Sequence, residues 1–256
     1  MIEAIPNLLG GRVALVTGAS RGIGKAIVRC FAAAGAVGTA SDLDDNALAT
    51  ATPDRWIAVA ADVRDETSLA NAVAATLQRF GRLDIVVANA GLVPPWSEIE
   101  AMDLALWDEV FAVNVRGVIA TVKAAVPAMK GNGGSIIVMG SLTSRQGHAR
   151  QCLYVATKHA VLGIVRSAAL DLGRHAIRVN ALGPGPIATD ALRERLARRA
   201  AAGGLARDEA LRRHAAETAL GRMSTEDDVA NAALFLASDL SAGMTGQILP
   251  VDSGLP

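Results

Sequence analysis

Tyr154 and Lys158 stand four residues apart, a spacing that stacks two side chains on one face of a helix. A free phenol has a pKa of about 10, too high for a base at neutral pH, yet an ammonium at ~4 Å favours the phenolate. At an effective dielectric of ~20 that attraction is about 4 kcal/mol, an upper bound of roughly 3 pKa units before solvent screening. The pair is suited to moving a proton near neutrality. Taken alone, it fits equally a partly exposed helix with a lysine stem lying along apolar surface.

The run at 12–24, RVALVTGASRGIG, supplies a second chemistry. Residues 13–16 are apolar without alternation, which suits a strand buried on both faces. Gly18, Gly22 and Gly24 then remove side chains where a turn tightens and the backbone must approach something bulky. A helix opening there aims unpaired N–H groups and its positive dipole end outward, toward a phosphate or pyrophosphate. Such turns also arise from packing alone, and the spacing departs from the commonest dinucleotide fingerprint. Asp42, at the end of the next strand candidate (37–41) and 18 residues beyond Gly24, stands where a carboxylate would reach a ribose. Its position favours a dinucleotide.

The elements that must hold these groups alternate between strand and helix. An alanine-rich helix runs to Gly35, and 56–60 is a third strand. Asp65 caps a helix with Leu69, Val73 and Leu77 on one face, which stops at Gly81 before a buried strand at 85–88. Pro94 and Pro95 mark a loop ahead of a long helix at about 104–130. Strand 135–139 opens onto the polar turn Gly140-Ser141-Leu142-Thr143-Ser144, helix 153–172 carries the Tyr/Lys pair, and 178–182 is a sixth strand. Gly183-Pro184-Gly185-Pro186 is expected to continue neither structure. Segment 189–214, rich in Arg and Ala and broken at Gly203-Gly204, precedes a helix capped near Ser224 or Thr225 and a seventh strand at 247–251. The expected architecture is one α/β domain: a doubly wound, seven-stranded parallel sheet with helices on both faces.

A length of 256 residues suits one such domain. Lys and Arg total 25 against 25 Asp and Glu, so no overall charge attracts nucleic acid or an anionic membrane. Polar residues are expected to interrupt every apolar segment short of a membrane span, the mean hydropathy of +0.32 reflecting core and alanine-rich helices. Cys30 and Cys152 lack metal spacing, the four histidines (His148, His159, His175 and His214) have no ligand partners in sequence, and 1–10 has no leader-like core. A reduced, cytoplasmic, metal-free protein is the expectation. Cys30 reads as core, and Cys152 as either pocket lining or an inert small apolar residue.

In order, 17–24 (TGASRGIG), Asp42, Asp62-Val63, Asn89-Ala90-Gly91, Asn114, Ser141, Tyr154 with Lys158, and Pro184-Gly185 followed by Thr189 form one assembled pattern. It closely resembles the classical short-chain dehydrogenase/reductase family, nearly end to end. The tail is similar too, through Gly221-Arg222, FLASD at 235–239, Thr245-Gly246-Gln247 and Asp252. Two positions depart from it, since the family more often has Asn in place of Ala88 and Gly in place of Ser253.

The resemblance implies a Rossmann-type fold and an NAD-dependent oxidoreductase that interconverts a secondary alcohol and a ketone by hydride transfer. Tyr154 would be the general acid/base, and Ser141 would fix the reacting oxygen. Lys158 would lower the tyrosine pKa and hold the nicotinamide ribose, and Asn114 would hold a helix bend and a water linking Lys158 to solvent. Cofactor contacts are implied for Gly18, Ser20, Arg21, Gly22, Ile23 and Gly24 in the turn, for Asp42 and Leu43, and for Asp62 and Val63 at the adenine edge. They are implied also for Asn89, Ala90 and Gly91 near the adenosine ribose, for Tyr154 and Lys158, and for Pro184, Gly185, Ile187 and Thr189. A homotetramer built through helices 104–130 and 153–172 and the C-terminal strand region is implied as well.

NAD is expected over NADP. Arg21 could pair with a 2′-phosphate for about 1 kcal/mol or less, whereas Asp42 would repel it by about 4 kcal/mol per unit charge at ~4 Å and a dielectric of ~20. Segment 190–214 is expected to be a substrate lid, a permanently packed helical pair being the other reading. The substrate stays open: Trp96, Leu142, Leu153 and Leu192 suggest apolar lining, whereas Arg145, Arg150 and Arg193 would recognise an anion. Two other functions fit parts of the pattern. One is a dinucleotide-binding regulator or scaffold, which has no need of a tuned phenol. The other is an epimerase or dehydratase on the same fold, whose relatives usually add a C-terminal substrate domain.

Overall fold

The unalternating run after Arg12 forms a strand buried at every position, β1 (Val13–Thr17), in the computed structural model, which describes residues 7–201 and 203–255. Residues 1–6 of the stretch read for a leader, and residue 202 of the segment 190–214, lie outside the described residues. After β1 come α1 (Gly22–Ala33), β2 (Val37–Asp42), α2 (Asp45–Ala51), β3 (Trp56–Ala60), α3 (Glu66–Phe80) and β4 (Ile85–Ala88). Then follow α4 (Leu104–Phe111), α5 (Gly117–Met129), β5 (Gly134–Met139), α6 (Cys152–Leu172) and β6 (Ile177–Pro184). The last elements are α7 (Asp190–Ala201), α8 (Arg207–Ala216), α9 (Glu226–Ala237) and β7 (Ile248–Val251).

The seven strands pair in parallel in the order β3-β2-β1-β4-β5-β6-β7. Chain order reverses between β1 and β4, which opens a crevice beyond the carboxyl ends of those two strands. Helices cover both faces. Ile27 and Phe31 of α1 pack with Val229 and Leu236 of α9 on one side, and Val73 of α3, Val122 of α5 and Val165 of α6 fill the other. Each such burial is worth about 1.5–3 kcal/mol. Asp65 caps α3 through the Thr67 N–H, and Thr225, rather than Ser224, caps α9 in a reciprocal box with Asp228.

Three local expectations change. Helix α2 was not legible in the sequence: it has seven residues and one fully buried apolar anchor, Leu48, and is started by Asp44 accepting from the Asn46 and Ala47 N–H groups. Gly183 and Pro184 do continue a strand, opposite Pro250 and Val251 of β7, because extended backbone accommodates proline where its missing N–H is not needed. The long helix is continuous over 104–129, with a π-helical turn at Ala112–Arg116 joining α4 to α5. By length and composition it could cross a membrane, so polar residues do not interrupt every apolar segment as expected; 44% of its most apolar window is buried inside the molecule.

Candidate active site

Around the crevice the chain folds back on itself at glycine. Gly18 has φ +66°, and a Cβ there would lie 2.8 Å from the Ala90 Cα; at Gly24 a Cβ would lie 2.0 Å from the Gly18 carbonyl oxygen. Only glycine permits that approach. The Thr17 hydroxyl accepts from the Asn89 and Ala90 N–H groups at 3.1 and 3.2 Å, and the Asn89 amide donates to the Thr17 and Gly18 carbonyls at 2.9 Å each. The ends of β1 and β4 are thereby stitched together. Asn89 thus supports the central strands and the cradle.

Arg21 precedes α1 without a capping side chain, and the first turn of that helix carries no acid. Its N–H groups are left for an anion. Beside them, one Asp42 carboxylate oxygen accepts from the Ser20 N–H (3.0 Å) and hydroxyl (2.6 Å), and the other from the Leu43 N–H (2.8 Å). A carboxylate has about four acceptor positions, so Asp42 keeps capacity for a ribose hydroxyl. Glycine cradle, bare helix terminus and adjoining carboxylate fit a nicotinamide dinucleotide.

The remaining cofactor candidates divide. Gly22 and Ile23 open α1, and Ala90 and Gly91 follow β4, at the crevice. Leu43 is exposed. Thr189 spends its hydroxyl on the Leu192 N–H at the start of α7, Gly185 donates to the Val251 carbonyl, Ile187 is buried, and Pro184 ends β6. Asp62 is engaged by Arg64, whose Nε and Nη2 lie 2.9 and 2.6 Å from one oxygen, and that guanidinium holds its carboxyl below the usual range. Val63 is packed against Leu69 and Ala120.

The proton-moving groups converge from the turn after β5, the π-helical turn before α5, and α6. Ser141, two residues beyond β5, caps a reciprocally bonded turn: its hydroxyl accepts from the Thr143 N–H (3.2 Å), and its own N–H donates to the Ser144 hydroxyl (3.1 Å). A side chain so tied is held for a hydrogen bond to a third group. Asn114 is buried in the π-helical turn, where its amide accepts from the Leu92 N–H (2.7 Å) and donates to the Leu92 carbonyl (2.8 Å) and the Thr157 hydroxyl (3.4 Å). Thr157 donates in turn to the Tyr154 carbonyl at 2.8 Å. Asn114 therefore couples the loop after β4 to the helical turn that carries the tyrosine.

Lys158 is anchored on the strand beside its own helix. Its Nζ donates to the Met139 carbonyl at 2.7 Å and lies 5.5 Å from the Tyr154 ring centroid, and burial pushes its pKa down to about 8. Burial also raises the Tyr154 pKa, against the lowering effects of the Ser141 hydroxyl and of a cation that sequence reading passed over, Arg195 on α7. Of the arginines named from sequence, Arg145 is turned to the Ile248 carbonyl and Arg193 is exposed, so only Arg150 lines the cleft of roughly 280 Å³ beside Tyr154. Trp96, Met102, Leu106 and Leu153 share that lining. Cys152 is exposed, and Cys30 is half-buried beside Asn231, its thiol pushed up to about 11 by burial.

Comparison with known proteins agrees with this layout. Residues 18–256 match the family model described as enoyl-(acyl carrier protein) reductase. The chain is 40% identical to (+)-borneol dehydrogenase 2 of Salvia officinalis, covering 98% of this chain and 92% of that protein. It is 36% identical to an L-rhamnose 1-dehydrogenase (NAD(P)(+)) of a Sphingomonas species, covering 97% and 98%. The fold matches carveol dehydrogenase from Mycobacterium avium, solved in complex with NAD, with a TM-score of 0.90 and 31% identity over 97% of this chain and 98% of that one. With the glycine cradle, the serine–tyrosine–lysine cluster and these relatives, the chain belongs to the classical short-chain dehydrogenase/reductase family of oxidoreductases.

Proposed function

We propose that the protein interconverts a secondary alcohol and a ketone with NAD as its preferred cofactor, Tyr154 serving as the general acid/base. The observation that carries this reading is the meeting of Ser141, from the turn after β5, with Tyr154 and Lys158 of α6, beside the glycine cradle. Relatives named for borneol, rhamnose and carveol support a CH–OH carbon as the reacting centre.

A nicotinamide cofactor, when bound, accepts hydride in oxidation and supplies it in reduction. The chain's own residues handle the proton. Ser141, locked by its turn, donates to the substrate oxygen and fixes it near the phenol. Tyr154 gives its phenolic proton to that oxygen in reduction and takes it from the alcohol in oxidation. Arg195 favours the phenolate, while Lys158, anchored on the Met139 carbonyl, would hold the nicotinamide ribose. Asn114 keeps the Tyr154 turn in register through Thr157.

The test is Tyr154→Phe, assayed with a panel of alcohols and ketones and both cofactors by absorbance of the reduced nicotinamide. Turnover should fall by about 10² to 10⁴ while cofactor affinity stays nearly unchanged, because only a proton donor is deleted. Retention of more than about a tenth of the activity would overturn the assignment.

A further inference from the structure

Arg195 and Arg199 lie one turn apart on α7, hence on one face of it. The Arg199 guanidinium carbon lies 3.2 Å from the Trp96 ring centroid, that of Arg150 lies 5.1 Å from it, and the His148 ring is 5.1 Å away. Trp96, Arg150 and Tyr154 line one cleft; Arg199 lies over Trp96, and Arg195 stands one turn before it on the same helix face. Arginines thus gather on the Trp96 side of the cleft.

Of the acids nearby, one meets the cluster at its Arg150 edge and the others are engaged elsewhere. Glu98 lies 3.8 Å from Arg150, Glu217 is shared by Arg213 and His214, and Asp103 caps α4 through the Ala105 and Leu106 N–H groups. Among the described residues, neither Arg195 nor Arg199 makes an ion pair or hydrogen bond with another side chain or the backbone, although both are half-buried. Desolvation opposes the charge on both guanidinium groups, and the neighbouring arginines, Arg198 for Arg195 and Arg195 for Arg199, add to that cost. A planar guanidinium is shaped for bidentate contact with a carboxylate or phosphate, and such a group in the cleft would relieve both penalties.

We propose that the substrate carries an oxyanion, a carboxylate or a phosphate ester, held by Arg195 with Arg199 and Arg150 flanking it, so that the protein acts on a hydroxy or oxo acid or a phosphorylated ketose. This rests on the alcohol–ketone reading above. Three matched pairs test it, each with both cofactors: levulinate and methyl levulinate, 4-oxocyclohexanecarboxylate and its methyl ester, and dihydroxyacetone phosphate and dihydroxyacetone. In at least one pair the ionised member should have the higher kcat/KM by about tenfold or more, the worth of one charge-assisted hydrogen bond. Preference in the first two pairs identifies a carboxylate, and in the third a phosphate ester.

Arg195→Met should lower that ionised-to-neutral ratio by about tenfold or more, and Arg195→Lys should keep part of it. Circular dichroism checks that both variants fold; if Arg195→Met does not, Arg199→Met and Arg195→Lys carry the comparison. Saturation-transfer NMR with the same pairs reads binding without turnover. Equal or better turnover of every neutral member, or an Arg195→Met effect confined to the KM of the cofactor, overturns the proposal. Oxyanion-selective binding that Arg195→Met removes, with no turnover of any compound, supports the anion site and sinks the oxidoreductase reading instead.

Discussion

Lys158 is held where its charge is least comfortable, 6% exposed with one carbonyl partner. Its pKa falls from 10.5 to about 8, so between those pH values the folded chain binds fewer protons than the unfolded one and stability rises with pH. Below about pH 8 the full penalty is present, at most about 3 kcal/mol. Lys158→Met should remove it, less the cost of stranding the Met139 carbonyl, and raise Tm by roughly 2–4 °C at pH 7 in the absence of cofactor. That advantage should shrink steadily toward pH 10.5. Thermal unfolding at pH 7 and 10 checks both signs, and a gain that grows with pH would contradict the burial argument. Asp42 makes the second prediction at this scale. Asp42→Ala should lose the NAD preference, expected at about tenfold or more in kcat/KM, mainly through KM. Its loss also frees the Ser20 N–H and hydroxyl, which the carboxylate now engages, for a 2′-phosphate. NADP preference in the unmodified protein would show that Asp42 does not face the ribose.

At the scale of elements, the helix pair α7–α8 is the weakest part of the fold that touches the cleft. It is held together by Leu192, Leu196 and Ala210, with Leu211 and Met223 packed against them, a cluster far smaller than either sheet face provides. Small local cores open at low free energy. Segment 190–214 should therefore exchange its amide hydrogens faster than α6 in the free protein and become protected in a ternary complex. Equal protection in both states would make it a permanently packed pair rather than a lid. The π-helical turn between α4 and α5 behaves differently, because Asn114 spends its amide on both backbone groups of Leu92 and fixes the turn from within.

For the whole molecule, the informative surface is apolar. Leu104 is 69% exposed on α4, Ile119 is 43% exposed on α5 and Leu170 is 85% exposed on α6, the helices expected to meet symmetry mates. Single exposed leucines are ordinary on any protein. Three on neighbouring helices at a proposed interface are what closed assembly would cover. Light scattering should give the mass of four 26.3 kDa chains, and a stable monomer at micromolar concentration would contradict the tetramer. Leu170→Glu should shift the assembly toward smaller species.

What the sequence determined by itself was local in origin. Strands buried on both faces show as unalternating apolar runs, the glycine turn follows from backbone sterics at Gly18 and Gly24, and Tyr154 and Lys158 share a helix face through spacing alone. Tertiary structure decided whatever depended on groups remote in sequence or on burial. Gly183 and Pro184 became strand because β7 lay alongside. Lys158 turned to a carbonyl of β5, and Arg195, on another helix altogether, adds a lowering effect on the phenol that burial outweighs. Helix spacing fixes which side chains are neighbours, but the strength and even the sign of a pKa shift depend on depth and on every charge the fold brings near.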